Sequence, residues 1–416
     1  MNGSRDQFRI AAGKLAIVGA GASVATIYMG LPMLLAVRAR FRPQPWQAIG
    51  TPPTRITVVI AAHNEEASIA GKLDNLAELS GEWELDVIVA SDGSGDATVA
   101  IARGHVSLPT VLDLERGGKA SALNAALEIA EGEVVVFSDA NSRLEGDALE
   151  HLLAPFADPD VGGVAGDQRY SSGSTSTARG ERDYWSYERN LKRLESAIGS
   201  VVSSTGTLHA IRRDLIDRVP PDVTDDFYLS TGVITRNRRL VFAPAAIAWE
   251  QPNDDASAEY RRRVRIISRG LTGVARRREL LDWREHGWYS LVLFVHKVAR
   301  RLVFLPMLAA AAGGWLVRKE TGLWRVLTLG QVVFYGAASL GAAAPRHPLG
   351  RNRLASLTSH FCAANLAAAH AVLNVARGRT FVTWEPERTE AVDDHGMTSA
   401  HATAPSMASR SRTARS

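Results

Sequence analysis

Cysteine is almost absent from this chain of 416 residues: Cys362 stands alone. An intramolecular disulfide is therefore excluded, as is any zinc site built on several cysteines, and a reducing compartment suits the folded part. A fixed-period repeat is also lacking, which removes solenoid and propeller architectures. Excess charge of one sign is small: 48 Lys and Arg face 44 Asp and Glu, for a formal net charge of +4. Much of the arginine flanks apolar spans or lies near the C-terminus, so membrane lipids and substrate phosphates account for it better than nucleic acid. No nucleic-acid partner is expected.

Long apolar runs, by contrast, occur at both ends. Leu15 to Val37 contains 23 residues without a charge, long enough to cross a hydrocarbon core of about 30 Å at 1.5 Å per residue. It predicts a membrane helix, since a signal peptide has a shorter apolar core and a small-residue cleavage site. Arg38, Arg40 and Arg42 place the next segment in the cytosol, against the opposing bias of Arg5, Arg9 and Lys14. Pro43, Pro45, Pro52 and Pro53 predict a stiff linker. Residues 289–317 predict an interfacial helix to about Arg300 and a crossing from Leu302 to Val317. Leu323 to Ala344 predicts a further span. Leu354 to Val375 predicts a weaker one, in which His360, Asn365 and His370 either line a polar path or contact neighbouring helices. Met397 to Ser416, rich in Ser, Ala, Thr and Arg, has no core-forming pattern and predicts disorder.

Between the ends, short apolar runs alternate with amphipathic helical patterns, the signature of a mainly parallel sheet. Strands are predicted at 56–62, 85–90, 134–137, 160–169 and 206–211. Helices are predicted at 65–79, 118–130, 146–156, 181–198 and 227–236. The glycine and serine stretch Ser171 to Thr177 reads as a mobile loop. Val134, Val135, Val136 and Phe137 form an unbroken apolar run, as expected of a central strand covered on both faces. It stops abruptly on Asp139-Ala140-Asn141. In open α/β sheets ligands bind outside the carboxyl ends of the strands, and a carboxylate there can hold a divalent cation against a diphosphate. Taken alone, Asp139 could equally start a turn.

Three further acidic sites change that balance. Glu65 follows Asn64, Asp92 precedes Gly93-Ser94-Gly95, and Asp225-Asp226 precedes a helical pattern. Each fits a cap or a turn by itself. If neighbouring strands are parallel, however, Glu65, Asp92 and Asp139 emerge on one edge of the sheet.

With these pieces in order, the sequence resembles a membrane-embedded family 2 glycosyltransferase of the polysaccharide-synthase type, related to cellulose and hyaluronan synthases. The matching stretches are Val59-Ile60-Ala61-Ala62-His63-Asn64-Glu65-Glu66, Ser91-Asp92-Gly93-Ser94, Gly118-Lys119-Ala120-Ser121-Ala122-Leu123-Asn124, Asp139-Ala140-Asn141 and Thr224-Asp225-Asp226. The resemblance implies a glycosyltransferase A-type α/β fold with a nucleotide-sugar donor. It implies that Asn64, Glu65 and Asp92 contact the nucleoside, Lys119 a phosphate, and Asp139 a Mg²⁺ or Mn²⁺ ion. Asn141 stands where the family commonly has a second aspartate, leaving a neutral carbonyl oxygen as a metal ligand. Asp226 takes the general-base role with Asp225 beside it, a like-charge proximity that can raise a carboxylate pKa. Asp225 is also a helix-cap candidate. Arg262, Arg263 and Arg265 stand where processive members carry Gln-Arg-x-Arg-Trp, and suit a diphosphate or lipid headgroups. The tryptophan is replaced by Ile266.

The expected organisation is a membrane anchor (1–42), a linker (43–54), a cytosolic catalytic domain (55–285), an interfacial helix with C-terminal spans (286–376) and a tail (377–416). The expected activity is inverting transfer from a donor, UDP-linked, to a glycan or lipid-linked acceptor at the inner cell membrane. Transfer to polyprenyl phosphate and a catalytically silent scaffold remain as alternatives.

Overall fold

A computed structural model describes residues 2–79, 81–170, 176–251, 256–345 and 347–381. Most of the stretch expected to be a mobile loop (171–175) and the expected disordered tail from 397 onward lie outside these residues. Thr177, with Ser176, opens a helix instead.

The N-terminal helix α1 (Asn2–Ala25) passes through a π-turn at Thr26–Gly30 into α2 (Leu31–Phe41). Strand β1 (Arg55–Ala62), helix α3 (Ile69–Glu78), β2 (Glu84–Asp92), α4 (Thr98–Arg103) and β3 (Thr110–Leu114) follow. Then come α5 (Lys119–Ile129), β4 (Val134–Ser138), β5 (Arg143–Leu144), α6 (Ala148–Leu153) and β6 (Val161–Tyr170). The rest comprises α7 (Ser176–Ala197), β7 (Leu208–Arg212), α8 (Asp225–Thr235), β8 (Arg239–Glu250), α9 (Ala256–Arg276), α10 (Trp283–His286), α11 (Trp288–Leu293), α12 (Phe304–Leu316), α13 (Leu323–Ala343) and α14 (Arg353–Ala376).

The sheet has the order β3-β2-β1-β4-β7-β6-β8-β5. The first four strands are parallel to one another, β7 is antiparallel to both β4 and β6, and β6 and β8 are again parallel. Strand β4 is central because both faces are covered. Val134 and Val136 pack with Ile60, Leu73 and Leu149 on one side, while Val135 and Phe137 pack with Leu123, Leu127 and Val233 on the other. At roughly 1.5–3 kcal/mol per fully buried aliphatic side chain, this run stabilises the sheet whichever way it faces.

Some boundaries differ from expectation for local reasons. The helix expected from residue 65 starts at Ile69, because Asn64 adopts a left-handed φ of 51° and residues 66–68 form a turn. The helix expected over 146–156 is α only to Leu153, and Pro155 sits in the 3-10 turn that ends it. Strand β8 and helix α9 were not predicted as such.

At the membrane-facing end, two helices among the described residues are long and apolar enough to cross a membrane. These are Ser4–Phe41, with mean hydropathy 1.7, and Leu323–Ala343, with 1.5. The crossing expected from Leu302 to Val317 is shorter: α12 has 13 residues, about 20 Å of helix at 1.5 Å per residue. It lies against α1, where Gly13 and Gly313 permit close approach. A Cβ on Gly313 would stand 2.7 Å from the Gly13 carbonyl oxygen. Helix α14 packs on α9 through Ala367, Ala371 and Val264; Asn365 donates back to the Phe361 carbonyl, so its polar groups serve packing. The proline linker is pinned to the domain rather than free. Arg239 donates to the carbonyls of Gln44 and Pro45, at 2.5 and 3.3 Å, and the Gln47 N–H reaches Asp158.

Candidate active site

The parallel register of β1, β2 and β4 brings their carboxyl ends to one edge, and the acidic residues collect there. Strand β2 runs through Ser91 to Asp92, two residues further than expected. The Asp92 carboxylate is 1% exposed. Its Oδ1 accepts from the Gly117 and Gly118 N–H groups at 2.7 and 2.8 Å, and its Oδ2 pairs with Arg116 at 3.0 Å. The adjacent Gly93 has φ +61°, and a Cβ there would meet the Arg116 nitrogen at 2.9 Å. Asp92 thus fixes the loop that launches α5. Three of its roughly four lone-pair directions are engaged within the protein, so it is placed first as an organiser of the site.

Asn64 joins the β1 and β2 ends. Its N–H donates to Ser94 Oγ at 3.1 Å, and its Oδ1 accepts from the Gly95 N–H at 2.8 Å. Glu65 is buried, with its N–H on Thr98 Oγ1 at 2.7 Å. His63 bonds the Asp92 carbonyl at 2.8 Å.

Lys119, the first residue of α5, is placed differently from an open phosphate contact. Its Nζ bridges Asp139 Oδ1 at 2.9 Å and Asp225 Oδ2 at 3.1 Å. Burial would lower its pKa, but the two carboxylates outweigh that and raise it. Residues from β4, α5 and α8 therefore meet on a single ammonium. Asp225 and Asp226 lie in the first turn of α8, with Thr224 as the N-cap, so the cap role expected for Asp225 falls to its neighbour, which makes no side-chain cap bond. Burial alone would raise the Asp225 pKa; Lys119 and Arg269 bring it below the usual carboxylate value. Asp226 moves the other way. Burial and the Asp225 charge raise it, with Lys297 opposing, while its Oδ1 accepts from the Phe227 N–H at 2.7 Å.

The arginine cluster divides. Arg262 reaches Glu250 at 3.9 Å and Glu259 at 3.5 Å. Arg263 pairs with Glu259 at 2.5 Å and approaches His360 of α14 at 3.2 Å. It therefore faces the C-terminal helix and not the strand edge, because successive helical residues point about 100° apart. Arg265 is half-buried on the same helix.

Several residues at the site escaped the sequence reading. Lys72 is buried beneath the Asp139 turn and donates to Ser138 Oγ, Ser142 O and Ser142 Oγ at 2.7, 3.0 and 3.1 Å. Burial brings its pKa down to about 7 despite Asp139. His209 of β7 stacks on Phe137 with centroids 4.8 Å apart and holds the Thr205 carbonyl through Nδ1 at 3.0 Å. Burial lowers it to about 4, so the ring is neutral, and its buried Nε2 has no hydrogen-bond partner. Glu250, at the end of β8, accepts from Gln168 Nε2 at 2.5 Å. Burial raises its pKa and the Asp139 charge adds to that, against Arg262. Arg269 donates to the Val223 carbonyl at 2.8 Å. Only Arg269 left a signal, falling seven residues after Arg262 on a helical repeat.

For a metal ion, Asp139 and the exposed Asn141 offer hard oxygen donors at the strand end. Gly206 keeps space beside them, since a Cβ there would stand 3.4 Å from Asp139 Oδ2. No group of three His, Cys, Asp or Glu side chains suited to a metal occurs among the described residues. One carboxylate and one amide fit a hard divalent ion such as Mg²⁺ that keeps waters and takes further oxygens from substrate phosphates.

Poly-beta-1,6-N-acetyl-D-glucosamine synthase of Staphylococcus aureus is 26% identical over 224 residues, 52% of this chain and 54% of that protein. The Staphylococcus epidermidis protein of that name is 24% identical over 225 residues, with the same two shares. The chain spans about half the length of these curated relatives. Among solved structures, a mannosyltransferase from Pyrobaculum calidifontis, in complex with GDP-Man and Mn²⁺, superposes with a TM-score of 0.64 at 25% identity. The match covers 85% of this chain and 99% of that one. Residues 57–219 match the model for glycosyl transferase family 2, so that stretch of the chain carries a domain of this family, with a glycosyltransferase A-type fold.

Proposed function

We propose that the protein is an inverting glycosyltransferase, moving a sugar from a UDP-linked donor to an acceptor hydroxyl of a glycan or lipid-linked glycan at the cytosolic face of a membrane. The observation that carries this reading is the convergence of Asp139, Lys119 and the Asp225–Asp226 pair at one sheet edge. In a single displacement, the acceptor oxygen bonds to the anomeric carbon as the bond to the donor diphosphate breaks. Asp226 takes the hydroxyl proton. Its raised pKa makes it a stronger base than an ordinary aspartate.

Asp225 aligns Lys119, and Lys119 turns from the carboxylates to the leaving diphosphate, a compact charge suited to phosphate oxygens. Asn64, Glu65 and Asp92 shape the nucleoside end, and Arg262 lies near the acceptor side through Glu250. A Mg²⁺ or Mn²⁺ ion held by Asp139 and Asn141, when bound, supplies further charge to offset the departing diphosphate. The N-terminal and α13 helices support a membrane-bound enzyme.

The test is nucleotide release from a panel including UDP-N-acetylglucosamine and GDP-mannose, with full-length protein and Mn²⁺ or Mg²⁺. Turnover of a UDP-sugar that chelation abolishes, and that Asp139→Ala reduces at least a hundredfold, is expected. Full activity in Asp139→Ala would overturn the assignment.

A further inference from the structure

A second candidate site lies away from the sheet edge, where the N-terminal helix, the catalytic domain and α11 meet. A cavity of about 280 Å³ opens there, lined by Arg38, Arg238, His286, Gln44, Ser200 and Trp288 among others, and no acidic side chain lines it. Its volume holds several times the roughly 30 Å³ of one water, enough for a tetrahedral anion. Arg38 is stacked over the Trp288 ring, 4.8 Å from its centroid. Stacking occupies the face of the guanidinium and leaves its in-plane N–H donors to other partners. One of them, Nε, is buried without any hydrogen-bond partner, an unfavourable state for a charged donor unless a ligand supplies the acceptor. On the opposite wall Arg238 is half-satisfied by the Pro159 carbonyl and the exposed Asp160.

The position points to where the anion comes from. Arg38 lies three residues before the end of α2 in the long apolar helix. The helices that contribute Arg38 and Trp288 also carry exposed apolar side chains, Leu34, Val37 and Phe41 on α2 and Leu291 on α11, with Phe294 just after it. Trp283 and Trp288 are exposed nearby, the residue type that settles at the headgroup level. Ile234 lines the cavity eight residues along α8 from Asp226, about 12 Å of helix, so the cavity is distinct from the catalytic cleft.

We infer that this cavity binds a phosphate-bearing anion, the headgroup of an anionic phospholipid, with Arg38, Arg238 and His286 as its donors. The acyl chains lie over the exposed faces of α2 and α11. A bound lipid of this kind fastens the catalytic domain to the membrane helix at a fixed angle. The inference rests on the membrane reading of the N-terminal helix, whereas the anion site itself does not.

The test titrates full-length protein in neutral detergent with short-chain phosphatidylglycerol, short-chain phosphatidylcholine or inorganic phosphate, following tryptophan emission and Tm. Phosphatidylglycerol is expected to shift both, with a Kd that rises tenfold or more in Arg38→Gln and severalfold in Arg238→Gln, while phosphatidylcholine has no effect. Inorganic phosphate saturating the same Arg38-dependent response as tightly as phosphatidylglycerol would overturn the lipid source. Equal responses to both lipids, or responses unchanged in both variants, would overturn the site. Should Arg38→Gln fail to fold, Arg238→Gln, whose side chain is 43% exposed, carries the same comparison.

Discussion

At the residue scale, the proposed roles of two adjacent aspartates, a base and an anchor, rest on their opposite shifts. Asp225 is held ionised by Lys119 and Arg269, and its charge raises Asp226. The base must be deprotonated to act, so activity falls as pH drops through the Asp226 pKa. In Asp225→Asn the repulsion is gone, the Asp226 pKa falls, and the acidic limb of the kcat/KM profile moves to lower pH; an unmoved limb would contradict the pairing. Asp226→Asn separates chemistry from stability. Loss of the base lowers turnover by about 10²–10⁴-fold. A carboxylate whose folded pKa is raised opposes folding as pH rises above its unfolded-state pKa, so the same variant keeps or raises Tm. Lys72 provides the structural contrast. Lys72→Ala leaves the Ser138 and Ser142 oxygens without their donor and opens a cavity under the Asp139 turn. By the magnitudes usual for such losses it costs about 2–4 kcal/mol, read from denaturant unfolding.

At the scale of elements, the sheet was legible where an apolar run stands unbroken between turn residues and less so where the run is divided. Val134 to Phe137 announces β4 by composition alone. Strand β8 opens on a comparable run, Leu240 to Ala243, but carries Pro244 in its middle, which cuts the run short, and Glu250 at its end was invisible with it. His209 stayed hidden because its neutral, buried state depends on Phe137 from another strand. The short α12 is apolar throughout, and its glycine contact with α1 makes it part of a helix pair. Gly313→Leu drives a side chain into the Gly13 backbone and is expected to lower Tm by several degrees, whereas Gly336→Leu on α13, where a Cβ meets nothing within 4 Å, leaves it near the wild-type value.

At the scale of the whole molecule, the membrane-side and catalytic parts share a core. Leu31 and Leu35 of α2 and Val292 and Leu293 of α11 pack with Leu191, Phe227 and Val274. His296 is clasped by Glu195 at 2.9 Å and Glu188 at 3.0 Å, both buried on α7. Residues 55–285 expressed alone are therefore expected to aggregate or require detergent, as judged by size exclusion; a monodisperse fragment with cooperative unfolding would show that the shared core is dispensable. The sequence by itself determined the strand-helix alternation, the apolar ends and the motifs carrying Asp92, Asp139 and Asp226, since periodicity and residue type are local properties. Only the tertiary structure decided that Lys119 spans two carboxylates, that Arg263 turns to α14, and that Lys72, His209 and Glu250 belong to the site. Those facts depend on distances between segments far apart in the chain, and on the burial that sets each charge.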